Sequence, residues 1–173
     1  MRNCRMQRRT LLKLGVGSAA VLVLAESTLA WLQPGLQSGA MSAVGREVFG
    51  AVGRAVLDKS LPQADGPRQT ALNGLLDRID RLVQALPPHA QNELSQLLSL
   101  LGNSAGRRLL AGLGPAWPDA SVADLQQALQ GMRLSSLALR RQAYAALHDI
   151  ATGAYFVDAA SWPMLGYPGP VKI

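Results

Sequence analysis

Side chains able to do chemistry are few in this 173-residue chain, and they are scattered. His89 and His148 are the only histidines and lie far apart. Asp149 follows His148, but neighbouring residues on a helix point in different directions, so no proton relay is expected between them. No nucleophile motif accompanies either histidine, which leaves both to surface or capping roles. Asp77, Asp80 and Asp124 fall among arginines at helical positions, the pattern of a solvated face. A carboxylate pair for acid–base work is not indicated. The run Gly15-Val16-Gly17-Ser18-Ala19-Ala20 has the letters of a dinucleotide fingerprint. That fingerprint needs a preceding strand, and here a basic segment precedes it. Cys4 is the only cysteine, so an intrachain disulfide and a zinc cluster are both excluded. The sequence therefore predicts no catalytic residue, no metal site and no cofactor bound by this chain.

The charge distribution narrows the partners. The formal net charge is +6, from 17 basic and 11 acidic residues. Arg2, Arg5, Arg8, Arg9 and Lys13 all precede the first apolar stretch, and Glu26 alone offsets them before residue 31. The remainder carries 12 basic and 10 acidic residues, a net of +2. A nucleic-acid footprint belongs on the folded domain, so no nucleic-acid partner is expected.

The first 30 residues read as an export signal. Arg8-Arg9-Thr10-Leu11-Leu12-Lys13 matches the twin-arginine (Tat) pattern, and Leu14 to Ala25 follow as a short apolar run. That run is shorter than the roughly 20 residues of a membrane span and fits a signal h-region. Arg8, Arg9, Leu11, Leu12 and Lys13 are the expected contacts with the Tat translocase, and the expected destination is the periplasm. Thr28-Leu29-Ala30 and Ser38-Gly39-Ala40 both read as cleavage sites, and an uncleaved anchor is the competing reading. Tat carries folded cargo, so this protein, or something bound to it, folds before export.

The rest must be helical. Aromatics make up 5% of the chain, β-branched alternation is almost absent, and Leu and Ala recur at helical spacing. Residues 31–43 read as a small-residue linker, 44–155 as a helical domain and 156–173 as an extended tail. Helices are predicted over Val44–Ser60, Gln69–Leu86, His89–Leu101 and Ser104–Leu113. Asp65-Gly66-Pro67 is predicted as a turn, with Asp77, Arg78, Asp80 and Arg81 on the outer face of the second helix. Ser121 and Asp124 form a capping box for a helix through Met132. Ser135 or Ser136 is the expected cap of a last helix ending near Ala154, and Trp117-Pro118 opens that final unit. The fold class is all-α: a bundle of five to six helices with a Pro/Gly/aromatic tail.

That tail is the most distinctive segment. Tyr155, Phe156, Trp162 and Tyr167 share it with Pro163, Pro168, Pro170, Gly166 and Gly169. So many helix breakers predict extended chain, stiff enough to suit a partner groove. Folding back onto the protein's own core is the alternative, and both can hold at once. Together with the preceding Ala-Leu-x-x-Ile-x-x-Gly-Ala-Tyr helix, Ala154-Tyr155-Phe156, Ser161-Trp162 and Gly166-Tyr167-Pro168-Gly169-Pro170 resemble the end of a known family. It comprises the small subunits of membrane-bound, FAD-dependent sugar and polyol dehydrogenases acting on sorbitol, fructose, gluconate or glucose. Those subunits also typically begin with a Tat signal. Phe156 stands where that family often has Tyr. The resemblance implies that FAD and the chemistry belong to a large dehydrogenase subunit, with a c-type cytochrome as electron acceptor. It further implies that the small subunit escorts the large one through the Tat channel and stabilises it. Two other classes remain: a free-standing periplasmic helical binding protein, and a helical enzyme.

Overall fold

The structure is a computed structural model that describes residues 33–169. The all-α reading holds: a helical bundle, with one two-stranded hairpin as its only sheet among the described residues. The Tat residues Arg8, Arg9, Leu11, Leu12 and Lys13, the cleavage site at Thr28–Ala30, and Pro170 lie outside the described residues.

From Gly35 onward the expected linker is instead part of the fold. Strands β1 (Leu36–Gln37) and β2 (Ala40–Met41) pair antiparallel, Leu36 opposite Met41. Ser38 and Gly39 both take positive φ, at 51° and 78°, as a two-residue hairpin turn requires. The amides of Gly35 and Leu36 donate to the Ser99 and Ser95 hydroxyls, and the Met41 amide donates to Asp80. Small residues here serve close packing and a tight turn. The cleavage triplet Ser38-Gly39-Ala40 lies inside this hairpin.

Helix α1 (Ala43–Val56) is central and packs against four other helices: α2 (Asp65–Ala85), α3 (Pro88–Gly102), α5 (Val122–Arg133) and α6 (Ala138–Phe156). The Ser42 hydroxyl caps it by accepting from the Gly45 amide. Val48, Phe49 and Val52 are wholly buried. At Gly53 a Cβ would come within 2.7 Å of the Leu75 side chain, which would have to shift to admit it. The helix stops at Val56 rather than Ser60, because the Ser60 and Leu61 amides fold back onto the Leu57 carbonyl.

Helix α2 starts at Asp65, not Gln69. The Asp65-Gly66-Pro67 run is its first turn, where amides have no helical acceptor and a proline loses nothing. Pro88 opens α3 for the same reason. The predicted fourth helix is shorter than expected. The short helix α4 (Ser104–Gly106) passes into a π-type turn over Arg107–Ala111, which ends at Gly112 in the left-handed region. Ser121 and Asp124 cap α5 as expected, with the Asp124 amide donating to the Ser121 hydroxyl. Neither Ser135 nor Ser136 caps α6. Leu137 occupies that position without a side-chain bond, while Arg141 donates to both serine carbonyls.

Trp117 opens no new unit. It is 2% exposed, and its indole Nε1 donates to the Leu101 carbonyl at 2.8 Å. This links the loop before α5 to the end of α3. Trp117→Phe should cost about 1–3 kcal/mol, by stranding that carbonyl. Trp117→Ala should cost about 3–5 kcal/mol through the cavity it leaves. Urea unfolding followed by circular dichroism checks both; equal midpoints for the parent and the Ala variant would contradict the anchoring role.

Candidate functional site

The predicted tail residues converge at the C-terminal end of α6, where α2 crosses it. Arg78, expected on the outer face of α2, instead turns inward. Its Nε donates to the Ala154 carbonyl at 2.7 Å, and its Nη1 pairs with Asp158 at 2.8 Å. One guanidinium thus satisfies an orphan carbonyl at the end of α6 and fixes the residue that starts the tail. Asp158 then closes a turn: its Oδ1 accepts from the Ala160 amide, and its carbonyl accepts from the Ser161 amide and hydroxyl. The chain therefore runs as a 3-10 helix over Ala159–Leu165, where extended chain was predicted. Asp158 initiates that turn before Pro163 is reached, so the prolines do not prevent it.

The aromatic residues divide into two sets. Tyr155 belongs to the core: it is 6% exposed, and its hydroxyl donates to the Ser60 carbonyl at 2.7 Å. It is therefore not an open contact for a partner. Phe156 is half-buried and meets Tyr155 edge to face, with ring centroids 5.2 Å apart. Trp162 is half-buried too, and its Nε1 donates back to the Phe156 carbonyl at 2.9 Å. Tyr167 packs on Trp162 at 5.3 Å yet stays 47% exposed. Gly166 and Gly169 take positive φ, 67° and 98°, and let the chain curl around Trp162. A Cβ at Gly169 would sit 3.4 Å from that indole. Pro168 and Gly166 are exposed, Gly169 is half-buried, and Pro163 lies within the 3-10 helix.

A groove of about 920 Å3 opens beside this assembly. Gly66, Thr70 and Gly74 of α2 line one side, and Tyr155, Asp158 and Ser161 line another. Across the Arg78–Asp158 pair, Val157 borders a second cleft of about 330 Å3 and is 75% exposed. The tail thus turns Tyr167 and Val157 outward while Tyr155 and Trp162 hold it in place. Sequence reasoning missed Arg78 and Asp158. A readable signal was present at Asp158, a turn-initiating residue just after the last apolar helical position.

The other titratable residues are structural or exposed. Asp80 does not lie on a solvated face: its side chain is 16% exposed, and it takes both the Met41 amide and the Arg46 guanidinium. Arg46 also reaches Asp77 at 3.1 Å. The Asp124 carboxylate accepts from the Ser121 hydroxyl at 2.6 Å. His148 and Asp149 do meet, Nδ1 to Oδ1 at 3.0 Å, because the exposed ring turns along the helix and stacks on Tyr144. His89 is exposed. Among the described residues no group of three or more His, Cys, Asp or Glu is placed to hold a metal ion, and no helix is long and apolar enough to cross a membrane.

Burial pushes the Tyr155 hydroxyl above its ordinary pKa of 10.0; the Arg78 charge opposes this and Asp158 adds to it. Above pH 10 the unfolded chain loses this proton first, so Tyr155 contributes stability below that pH that fades as pH rises through the folded value. Tyr155→Phe should cost about 1 kcal/mol at pH 8 through the lost hydrogen bond, and flatten the decline in stability between pH 9 and 11. Denaturant midpoints across that range test this; an unchanged alkaline slope would contradict it.

No family model matches the chain, and no curated protein or solved structure matches it significantly.

Proposed function

We propose that this chain is a non-catalytic small subunit that escorts a large FAD-dependent dehydrogenase subunit through the Tat channel and stabilises it in the periplasm. FAD sits in the large subunit, and a c-type cytochrome in the same complex takes the electrons. One observation carries the reading. A tail of the family's Gly-Tyr-Pro-Gly type is pinned by Arg78, Asp158 and Trp162, yet leaves Tyr167 exposed. A pinned aromatic loses little entropy on binding, which is the property an interface anchor needs.

The geometry shifts the expected contacts. Tyr167, Val157 and Pro168 are the exposed residues offered for contact and Phe156 is half-buried, while Tyr155 and Trp162 act by holding the tail in position. Deleting the whole tail would remove bonds to α6 as well as the contact surface. Single exposed substitutions separate the two effects.

Two outcomes test the reading with the proposed large flavoprotein subunit co-expressed. Tyr167→Ala combined with Val157→Asp should leave the thermal melt within about 2 °C of the parent, since surface changes are worth about 0.5 kcal/mol. The same variant should lose co-purification of the flavoprotein; retained co-purification would count against this face as the interface. Separately, Arg8→Lys with Arg9→Lys preserves the n-region charge and should block export of both chains. Normal periplasmic accumulation of that variant would point to the general secretory route.

A further inference from the structure

Three arginines converge on the π-type turn and the connection that follows it. Arg54 donates to the Trp117 and Pro118 carbonyls, Arg107 to that of Gly114, and Arg140 to that of Leu110. None of the three joins an ion pair among the described residues. Arg107 is nine-tenths buried, and its Nε has no hydrogen-bond partner. These three guanidinium groups thus have only neutral carbonyls as hydrogen-bond partners among the described residues. Such a cluster raises the local concentration of anions.

Arg140 is the one that reaches an opening. It lines a cleft of about 320 Å3 between the segment 111–115 and α5. Its Nε is engaged by Leu110, while Nη1 and Nη2 have no hydrogen bond among the described residues. Gly112 and Gly131 flank the guanidinium. A Cβ at these positions would lie 3.6 and 3.8 Å from Nη2, so the two glycines keep its edge uncovered. Asp124 and Gln127 line the same cleft. The Asp124 carboxylate is engaged by the Ser121 hydroxyl and makes no ion pair with Arg140.

We propose that this cleft binds a carboxylate that carries a hydrogen-bond donor beside it. The two free Nη groups of Arg140 form a planar fork matched to the two carboxylate oxygens. Asp124 and Gln127 accept from the neighbouring donor. Two sources offer this chemistry: the C-terminus of a polypeptide, through its last amide, and a free amino acid, through its ammonium. The inference is independent of the escort reading, because it involves neither the tail nor the flavoprotein.

Nitrogen-15 NMR titration of the full-length chain tests it, with N-acetyl-L-alanine, L-alanine and N-acetyl-L-alanine amide as probes. Either acid should saturate the shifts of the Gly112, Gly114 and Gly131 amides and of the Arg140 side chain, and the uncharged amide should not. Tighter binding of N-acetyl-L-alanine assigns the site to a chain terminus, and tighter binding of L-alanine assigns it to a free amino acid. Arg140→Lys keeps the charge but loses the fork, and should weaken binding at least about tenfold. Since Arg140 also holds Leu110, Gly131→Leu supplies a variant that fills the cleft and spares that bond. It should abolish saturation with an unchanged melt. Saturation by the amide, identical shifts with sodium chloride at equal ionic strength, undiminished binding to the Gly131→Leu variant, or no saturation by either acid would each overturn the proposal.

Discussion

The bundle depends on burying α1 among four other helices. A helix enclosed this fully needs apolar residues on most of its faces and small ones where neighbours come closest. Val48, Phe49 and Val52 supply the volume, and Gly45 and Gly53 supply the close approach. At Gly45 a Cβ would come within 2.6 Å of the Gly35 carbonyl, so the hairpin closes onto α1 only because that position is glycine. The hairpin in turn presents Met41 to Asp80 on α2, and Gly35 and Leu36 to Ser99 and Ser95 on α3. Packing around one helix therefore fixes the register of the elements before and after it.

Around that core, arginine fastens the connections. Arg54, Arg68, Arg78, Arg107, Arg140 and Arg141 all donate to main-chain carbonyls in loops or at helix ends. With few aromatics to pin loops by packing, hydrogen bonds from long side chains take that role. The guanidinium suits it, since its apolar stem covers neighbouring surface while its planar head reaches several acceptors. Arg78 joins α2, α6 and the tail at a single point, and the outward face of the tail is positioned by that junction. The same habit leaves Arg54, Arg107 and Arg140 around the 107–118 connection without an ion pair among the described residues.

The tail is both a fold element and a surface. Tyr155 reaches back to the Ser60 carbonyl, and Trp162 to that of Phe156, so its inner side completes the bundle. Its outer side carries Tyr167 and Val157. Of the two alternatives read from the sequence, the cap on the protein's own core falls on Tyr155 and Trp162, and the proposed partner contact involves other residues of the same segment.

Much of this was legible in the sequence. Apolar spacing along residues 69–86 and 44–56 determined the helices, because a stripe of period 3.6 can be buried only as a helix. Ser121 with Asp124 determined a cap, because the hydroxyl and the amide it serves lie within one turn. Proline and glycine were weaker guides. Pro67 lies inside a first helical turn, and Ser38-Gly39 makes a hairpin, since both residue types fit more than one backbone state. Distant pairings were decided by tertiary structure alone. Arg78 with Ala154, Trp117 with Leu101, Tyr155 with Ser60 and Asp80 with Met41 join residues whose spacing carries no signal. Each forms because packing the helices brings a donor and an acceptor together where access to water is reduced.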